Sequence, residues 1–192
     1  MIMYLLNKPA TAPRNAIILC AAISASLLAG AHLFERVGGL APCLLCLEQR
    51  EVHWAALAAA ALTFGLIRVR GWSDRILTAA LGSLVLLYLF STGIAGYHAG
   101  VEWGFWPGPN ECSAGASSIE EFSADDLLGG LDGPVSGPSC SDAAWRMMGI
   151  SMAGYNALIS LAMGGLAALS TVRAAQQLRA NAVGGVKETV DA

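Results

Sequence analysis

Four long stretches without charged residues constrain this sequence more than any other feature. They cover residues 16–34, 52–67, 76–97 and 147–172. A helix needs about 20 residues to cross the hydrocarbon core of a bilayer, and the second stretch reaches that length if its helix begins near Leu47. Only 13% of the residues are charged, whereas soluble domains carry about a quarter. The sequence therefore predicts an all-α integral membrane protein.

The spacing of these stretches predicts a four-helix transmembrane bundle in a single domain, residues 1–175. We expect spans at about 16–34, 47–67, 76–97 and 147–172, joined by outer segments at 35–46 and 98–146. Helices 3 and 4 are thus separated by a long loop. Residues 176–192 would form a cytoplasmic tail, which we expect to be disordered.

The basic residues predict the orientation. Eight of the eleven lie at the N-terminus, in the 68–75 loop or at the C-terminus. The positive-inside rule then makes both termini and the 68–75 loop cytoplasmic, so that the segments 35–46 and 98–146 face the same outer compartment. The small residues 29–31 resemble a signal cleavage site, but the preceding apolar run is long for a signal peptide. The net charge of −3 and the absence of a basic cluster speak against nucleic acid as a partner.

The five cysteines are unevenly placed. Cys20 lies within the first span, where a free cysteine behaves as a small hydrophobic residue. The other four, Cys43, Cys46, Cys112 and Cys140, all fall on the predicted outer face. Such a face is oxidising in the bacterial periplasm, so these four can form disulfides.

The pair Cys43 and Cys46 has the spacing of a redox-active dithiol. Pro42 suits the first position of a helix, which would place both sulfurs near the positive end of the helix dipole and favour thiolates. Arg50 follows one turn later, and a cation at bilayer depth needs a partner or a function. It can stabilise a Cys46 thiolate and bind a quinone carbonyl, or it can reach the headgroups beside Glu48 or Glu51.

Two alternatives use the same cysteines differently. A structural zinc site needs four ligands in close pairs, and Cys112 and Cys140 are too far apart in sequence to form one, so we expect no metal. Alternatively, all four outer cysteines form inert disulfides in a non-catalytic four-helix membrane scaffold.

In the fourth span, Asn156 is expected to face the bundle and to hydrogen-bond across helices.

Three motifs resemble the bacterial disulfide bond formation protein B (DsbB) family, and the resemblance covers roughly residues 16–172. The motifs are Pro-Cys-Leu-Leu-Cys at 42–46 followed by Arg50, Tyr-His-Ala-Gly-Val-Glu at 97–102 leading to Cys112, and Ile-Ser-Met-Ala-Gly-Tyr-Asn-Ala-Leu at 150–158. The vitamin K epoxide reductase type, also a helical quinone-linked thiol enzyme, fits the 97–112 region less well.

The resemblance implies a protein-dithiol:quinone oxidoreductase. Its partner would be a DsbA-like periplasmic thioredoxin-fold protein that attacks a Cys112–Cys140 disulfide, with Cys112 as the first target. Cys140 would then attack Cys43, and Cys46 would be released as a thiolate.

The resemblance also implies a quinone site. Cys46 would contact the quinone ring, Arg50 matches the arginine that supports quinone binding, and His98 falls near a histidine implicated in some members. Ubiquinone and menaquinone both fit this expectation.

Overall fold

The four expected helices form a bundle in a computed structural model of the chain. The structure describes residues 9–71, 73–109 and 139–190, with 182–190 described by their backbone alone. A 3₁₀ turn at Pro9–Thr11 precedes four helices: α1 Pro13–Arg36, α2 Leu44–Arg70, α3 Asp74–Glu102 and α4 Met152–Val190. Each is long and apolar enough to span a membrane, α4 over Met152–Asn181. The predicted all-α transmembrane fold is confirmed.

Helix α2 begins at Leu44, two residues later than the position of Pro42 suggested. Cys43 is the N-cap, with extended backbone angles of φ −77° and ψ 171°, and its sulfur accepts the N–H of Cys46. Capping by a side chain satisfies a backbone donor that the first turn leaves unpaired. Pro42 therefore lies just outside the helix, and the prediction that it is the first helical residue is wrong.

The fourth helix begins later than predicted as well. Arg146–Met147 and Ile150–Ser151 form a two-stranded antiparallel hairpin, strands β1 and β2. Its turn is Met148 and Gly149, both with positive φ (53° and 82°). Two-residue hairpin turns need that backbone conformation. The residues from 147 to 151 are therefore not helical, although their apolar composition suggested it.

Beyond the expected end of the last span, α4 continues through Val190. This differs from the disordered tail expected from residue 176 onward. The run Ala-Ala-Gln-Gln-Leu-Arg at 174–179 has high helix propensity, which accounts for the continuation of the helix.

The segment after α3 folds back onto the helix that it leaves. Trp106 donates its indole N–H to the Tyr97 carbonyl at 2.9 Å and stacks on the Tyr97 ring. Gly100 makes room for this, because a Cβ there would lie 2.1 Å from the Trp106 ring. The turn carries Gly108 towards Val101 and Cys140, so the segment closes over one end of the bundle.

The bundle interior has two parts. The larger is an apolar cluster built from all four helices, with Ile17, Leu77, Leu81, Leu84 and Met163 among its buried members. The smaller lies at the end where α1 meets α2 and α3 leaves the bundle, and consists of Cys43, Leu45, Val101 and Cys140 with Cys46 partly buried against them. We call this the dithiol end.

Candidate functional site

The Cys43 and Cys46 sulfurs are in direct contact at the dithiol end. Both are free thiols, and their Sγ atoms lie 2.9 Å apart, with Cys43 as donor. The Cys46 N–H is 3.4 Å from the Cys43 sulfur. The pKa of the Cys43 thiol is raised well above its usual value, first because its S–H donates to the Cys46 sulfur and second by burial. The Cys43 S–H thus points at the Cys46 sulfur, where its hydrogen bond would stabilise a thiolate on Cys46.

Cys140 lies against this pair. It is 1% exposed, is disulfide-bonded, and packs in the same cluster as Cys43 and Cys46. Cys112 lies outside the described residues. The structure thus brings together three of the four cysteines singled out in the sequence, on elements far apart along the chain.

His98 lies where the two groups of cysteines meet. It is in the last turns of α3 and 2% exposed, with its Nε2 3.6 Å from the Cys43 sulfur. The same ring hydrogen-bonds the backbone of Cys140 and lies 3.8 Å from a Glu102 carboxylate oxygen. Ser151 of β2 donates to the other oxygen of that carboxylate. The side chain of Glu102 is 5% exposed, and no role was predicted for it from the sequence.

Arg50 points across the bundle to α1. Its guanidinium donates to the Glu35 carboxylate and, at 3.2 Å, to the Ala31 carbonyl. Glu48 and Glu51 were the partners expected from the sequence, but the structure pairs Arg50 with Glu35 at the end of the neighbouring helix. A pair between helices fixes the direction of the side chain, which a pair within one helix turn would not.

A cavity of about 570 Å³ opens beside the dithiol, within the size range of small-ligand sites. Its polar lining is concentrated on α2, α3 and α4 and includes Cys46, Gln49, Arg50, His53, His98 and Asn156. The remainder is largely apolar, including Leu27, Leu28, Phe34 and Ile159. Such a cavity suits a ligand with a polar head and an apolar body.

A chain of polar side chains, all buried except the half-buried Asn156, extends from His98 into the bundle. It passes through Gln49, Asn156, His53 and Ser24, with contacts of 2.9, 2.8, 2.9 and 3.1 Å in that order. Among the described residues, no buried side-chain nitrogen or oxygen lacks a partner. The expectation that Asn156 hydrogen-bonds across helices is confirmed. Gln49, His53 and Ser24 were not predicted to take part, although polar residues within a span were the available signal.

A metal ion could also be bound by Cys43, Cys46 and His98, because their ligand atoms lie within 4.8 Å of one another. Zinc sites use these residue types. A metal would need an unprotonated nitrogen on His98, which makes the tautomer of that ring decisive.

These features define a membrane-spanning protein with a buried dithiol, a third cysteine packed against it and a ligand-sized cavity at one end of a four-helix bundle. The chain belongs to the disulfide bond formation protein DsbB family, whose model matches residues 13–170. Its function therefore lies in disulfide bond formation, as an oxidoreductase.

Two relatives show the same likeness along nearly the whole chain. Disulfide bond formation protein B of Polaromonas naphthalenivorans (strain CJ2) is 29% identical over 162 residues, covering 84% of this chain and 92% of the relative. The protein of that name from Polaromonas sp. (strain JS666) is 26% identical over 166 residues, covering 86% and 94%. No solved structure gives a significant match.

Proposed function

We propose that this protein oxidises a DsbA-like periplasmic dithiol protein and passes the electrons through its two cysteine couples to a membrane quinone. The observation that carries the proposal is the packing of disulfide-bonded Cys140 against Cys43 and Cys46, beside a cavity that also contains Arg50. Disulfide exchange requires the attacking sulfur to contact the disulfide sulfur, and the packing of Cys140 against Cys43 and Cys46 supports such a contact.

The exchange proceeds through four successive thiolate attacks. A donor thiolate attacks the Cys112–Cys140 disulfide at Cys112, and Cys140 leaves as a thiolate. Cys140 then attacks Cys43, so that the Cys43–Cys46 bond breaks, a Cys140–Cys43 bond forms and Cys46 leaves as a thiolate. The second donor thiolate then attacks the first donor sulfur, so the donor's own disulfide forms and Cys112 leaves as a thiolate. This Cys112 thiolate attacks Cys140, and Cys43 leaves as a thiolate. This restores the loop disulfide and leaves Cys43 and Cys46 reduced.

The residues of the cavity fit a quinone. When bound, a quinone supplies an acceptor for two electrons and two protons. Cys46 and Arg50 would lie on its polar side together with His98, and the apolar lining would hold its ring and tail. Because a guanidinium carries five N–H groups, Arg50 can bind a ligand oxygen while retaining Glu35 and Ala31. Ubiquinone and menaquinone present similar carbonyl groups to these residues.

We further propose a bacterial inner-membrane location with both termini cytoplasmic, so that the dithiol end faces the periplasm. Residues 1–175 would form the single catalytic domain. The basic residues support this orientation, since most lie away from the dithiol end.

The test is turnover of the purified protein with a reduced DsbA-like donor and each quinone in turn. Cys43→Ala and Cys46→Ala should each reduce quinone reduction by a factor on the order of 10³ or more, as expected when a reacting nucleophile is removed. Cys20→Ala is the matched control, since it removes a buried thiol far from the dithiol end, and it should retain turnover within about twofold.

Normal turnover by Cys43→Ala would disprove the relay. Thiol trapping during turnover distinguishes the scaffold alternative, in which Cys43 and Cys46 would stay oxidised while donor thiols are added.

A further inference from the structure

The tautomer of His98 follows from the hydrogen bonds of its neighbours. Gln49 lies 2.9 Å from the Leu45 carbonyl and 2.9 Å from Nδ1 of His98, through the same side-chain nitrogen. A carbonyl can only accept, so the Gln49 atom facing it is the amide NH₂. That group also faces the His98 ring, and it can only donate. Nδ1 of His98 is therefore an acceptor, and the ring proton sits on Nε2.

The remaining links agree with this assignment. The Gln49 oxygen must accept, and Asn156 donates its amide to it at 2.8 Å. The Asn156 oxygen then accepts from Nε2 of His53 at 2.9 Å, so Nδ1 of His53 accepts from Ser24 at 3.1 Å. The Tyr88 hydroxyl donates to the Ser24 oxygen or to the Cys20 carbonyl beside it. One backbone carbonyl thus fixes the direction of the four bonds that join Ser24, His53, Asn156, Gln49 and His98, and all four point towards the dithiol.

The groups around Nε2 of His98 lead to the same result independently. That nitrogen faces the Cys43 sulfur at 3.6 Å and a Glu102 carboxylate oxygen at 3.8 Å, and the ring hydrogen-bonds the backbone of Cys140. A sulfur and a carboxylate are acceptors. Because Nε2 of His98 faces hydrogen-bond acceptors, the protonated form of this nitrogen is the favoured one.

We propose that Gln49, itself held by Asn156, is a positioning residue that holds His98 as an N–H donor at the junction of the two cysteine couples. The donor faces Cys43, the central sulfur of the exchange. When Cys140 attacks, the Cys140–Cys43 bond forms as the Cys43–Cys46 bond breaks, and negative charge spreads over the three sulfurs. When Cys112 later attacks Cys140, Cys43 leaves as a thiolate. The N–H stabilises both states without giving up its proton, so no base is required of His98.

The same assignment argues against a metal at Cys43, Cys46 and His98. A metal needs the lone pair of Nε2, and metal-bound histidines donate their other N–H to a carbonyl or carboxylate. Here Nδ1 meets a donor in Gln49. Gln49 thereby keeps a cluster of good metal ligands available for thiol exchange.

The first test is NMR of the protein with ¹⁵N-labelled histidine, with the signals assigned by replacing each histidine singly. In the reduced wild-type protein, Nδ1 of His98 should carry no proton and should show an accepted hydrogen bond. Gln49→Leu should remove that hydrogen bond. Thr63→Val is the matched control, because Thr63 is a buried polar residue of the same helix whose hydroxyl donates to the Ala59 carbonyl, and it should leave the His98 signals unchanged. A proton on Nδ1 of wild-type His98 would overturn the assignment.

The second test measures exchange alone. This part of the inference rests on the proposed function, whereas the NMR result does not, so the two can fail separately. Reduced donor is mixed with fully oxidised protein without quinone, and the Cys46 thiol is trapped over time. Gln49→Leu should slow its appearance about tenfold, the size expected from losing one hydrogen bond to a charged sulfur. Thr63→Val should remain within about twofold. An unchanged rate in Gln49→Leu, with the NMR change present, would refute the positioning role.

Discussion

The two parts of the bundle interior are built from different side chains on the same four helices. Away from the dithiol end, the buried residues are chiefly alanine, leucine and isoleucine. Towards the dithiol end, the same helices bury glutamine, histidine and serine, and the half-buried Asn156 joins them through hydrogen bonds. In a bilayer, apolar packing holds helices together without selecting one rotation for each, whereas a hydrogen bond between helices requires specific partners. The comparison indicates that the apolar part supplies stability and the polar part supplies geometry.

The largest expected effect on stability lies in the apolar part. Leu81 is 0% exposed and packs in the large cluster. Leu81→Ala should destabilise the protein by about 2–4 kcal/mol, because it removes buried methyl groups and leaves a cavity. Turnover per folded molecule should remain within about twofold. Unfolding by SDS in mixed micelles measures the loss of stability. A turnover assay on the folded fraction measures the activity per folded molecule. A specific loss of turnover would show that the two parts are not separable.

The next effect lies in the polar part and concerns the quinone side. Arg50→Met removes the cation that Glu35 and Ala31 hold over the cavity. We expect kcat/KM for quinone to fall about 10–100-fold, since hydrogen bonds to charged groups are among the stronger ones. The donor-side exchange rate should change by less than about threefold. Glu35→Gln, which still offers Arg50 an acceptor, should have a smaller effect in the same direction.

Arg68→Met is the control for that experiment. Arg68 lies in the last turn of α2, at the opposite end of the helix from the dithiol, and its replacement should leave kcat/KM unchanged. An equal loss in Arg50→Met and Arg68→Met would attribute the effect to net charge rather than to the site.

The same division explains which features could be predicted from the sequence. Hydropathy and basic residues reveal the four spans because each is a property of one segment, and the Cys43–Cys46 spacing followed by Arg50 is likewise local. The Arg50–Glu35 pair and the chain through Gln49 and His53 depend on how each helix is rotated against its neighbours. The rotation of one helix against another cannot be predicted from a pattern within a single segment. The hairpin at 146–151 was missed because its turn depends on backbone angles rather than on hydropathy.

The smallest expected effect concerns the far end of the polar chain and asks how far its influence on the dithiol extends. Ser24→Ala removes the hydroxyl between His53 and Tyr88. Tyr88 keeps an acceptor in the Cys20 carbonyl at 3.3 Å, so only Nδ1 of His53 loses its partner, at a cost of about 1 kcal/mol in the free energy of unfolding. His98 stays held by Gln49, whose own amide is fixed by the Leu45 carbonyl. The exchange rate should therefore match wild type within about twofold. A tenfold loss in Ser24→Ala, equal to that of Gln49→Leu, would mean that the dithiol responds to the whole chain of hydrogen bonds and not to its last link alone.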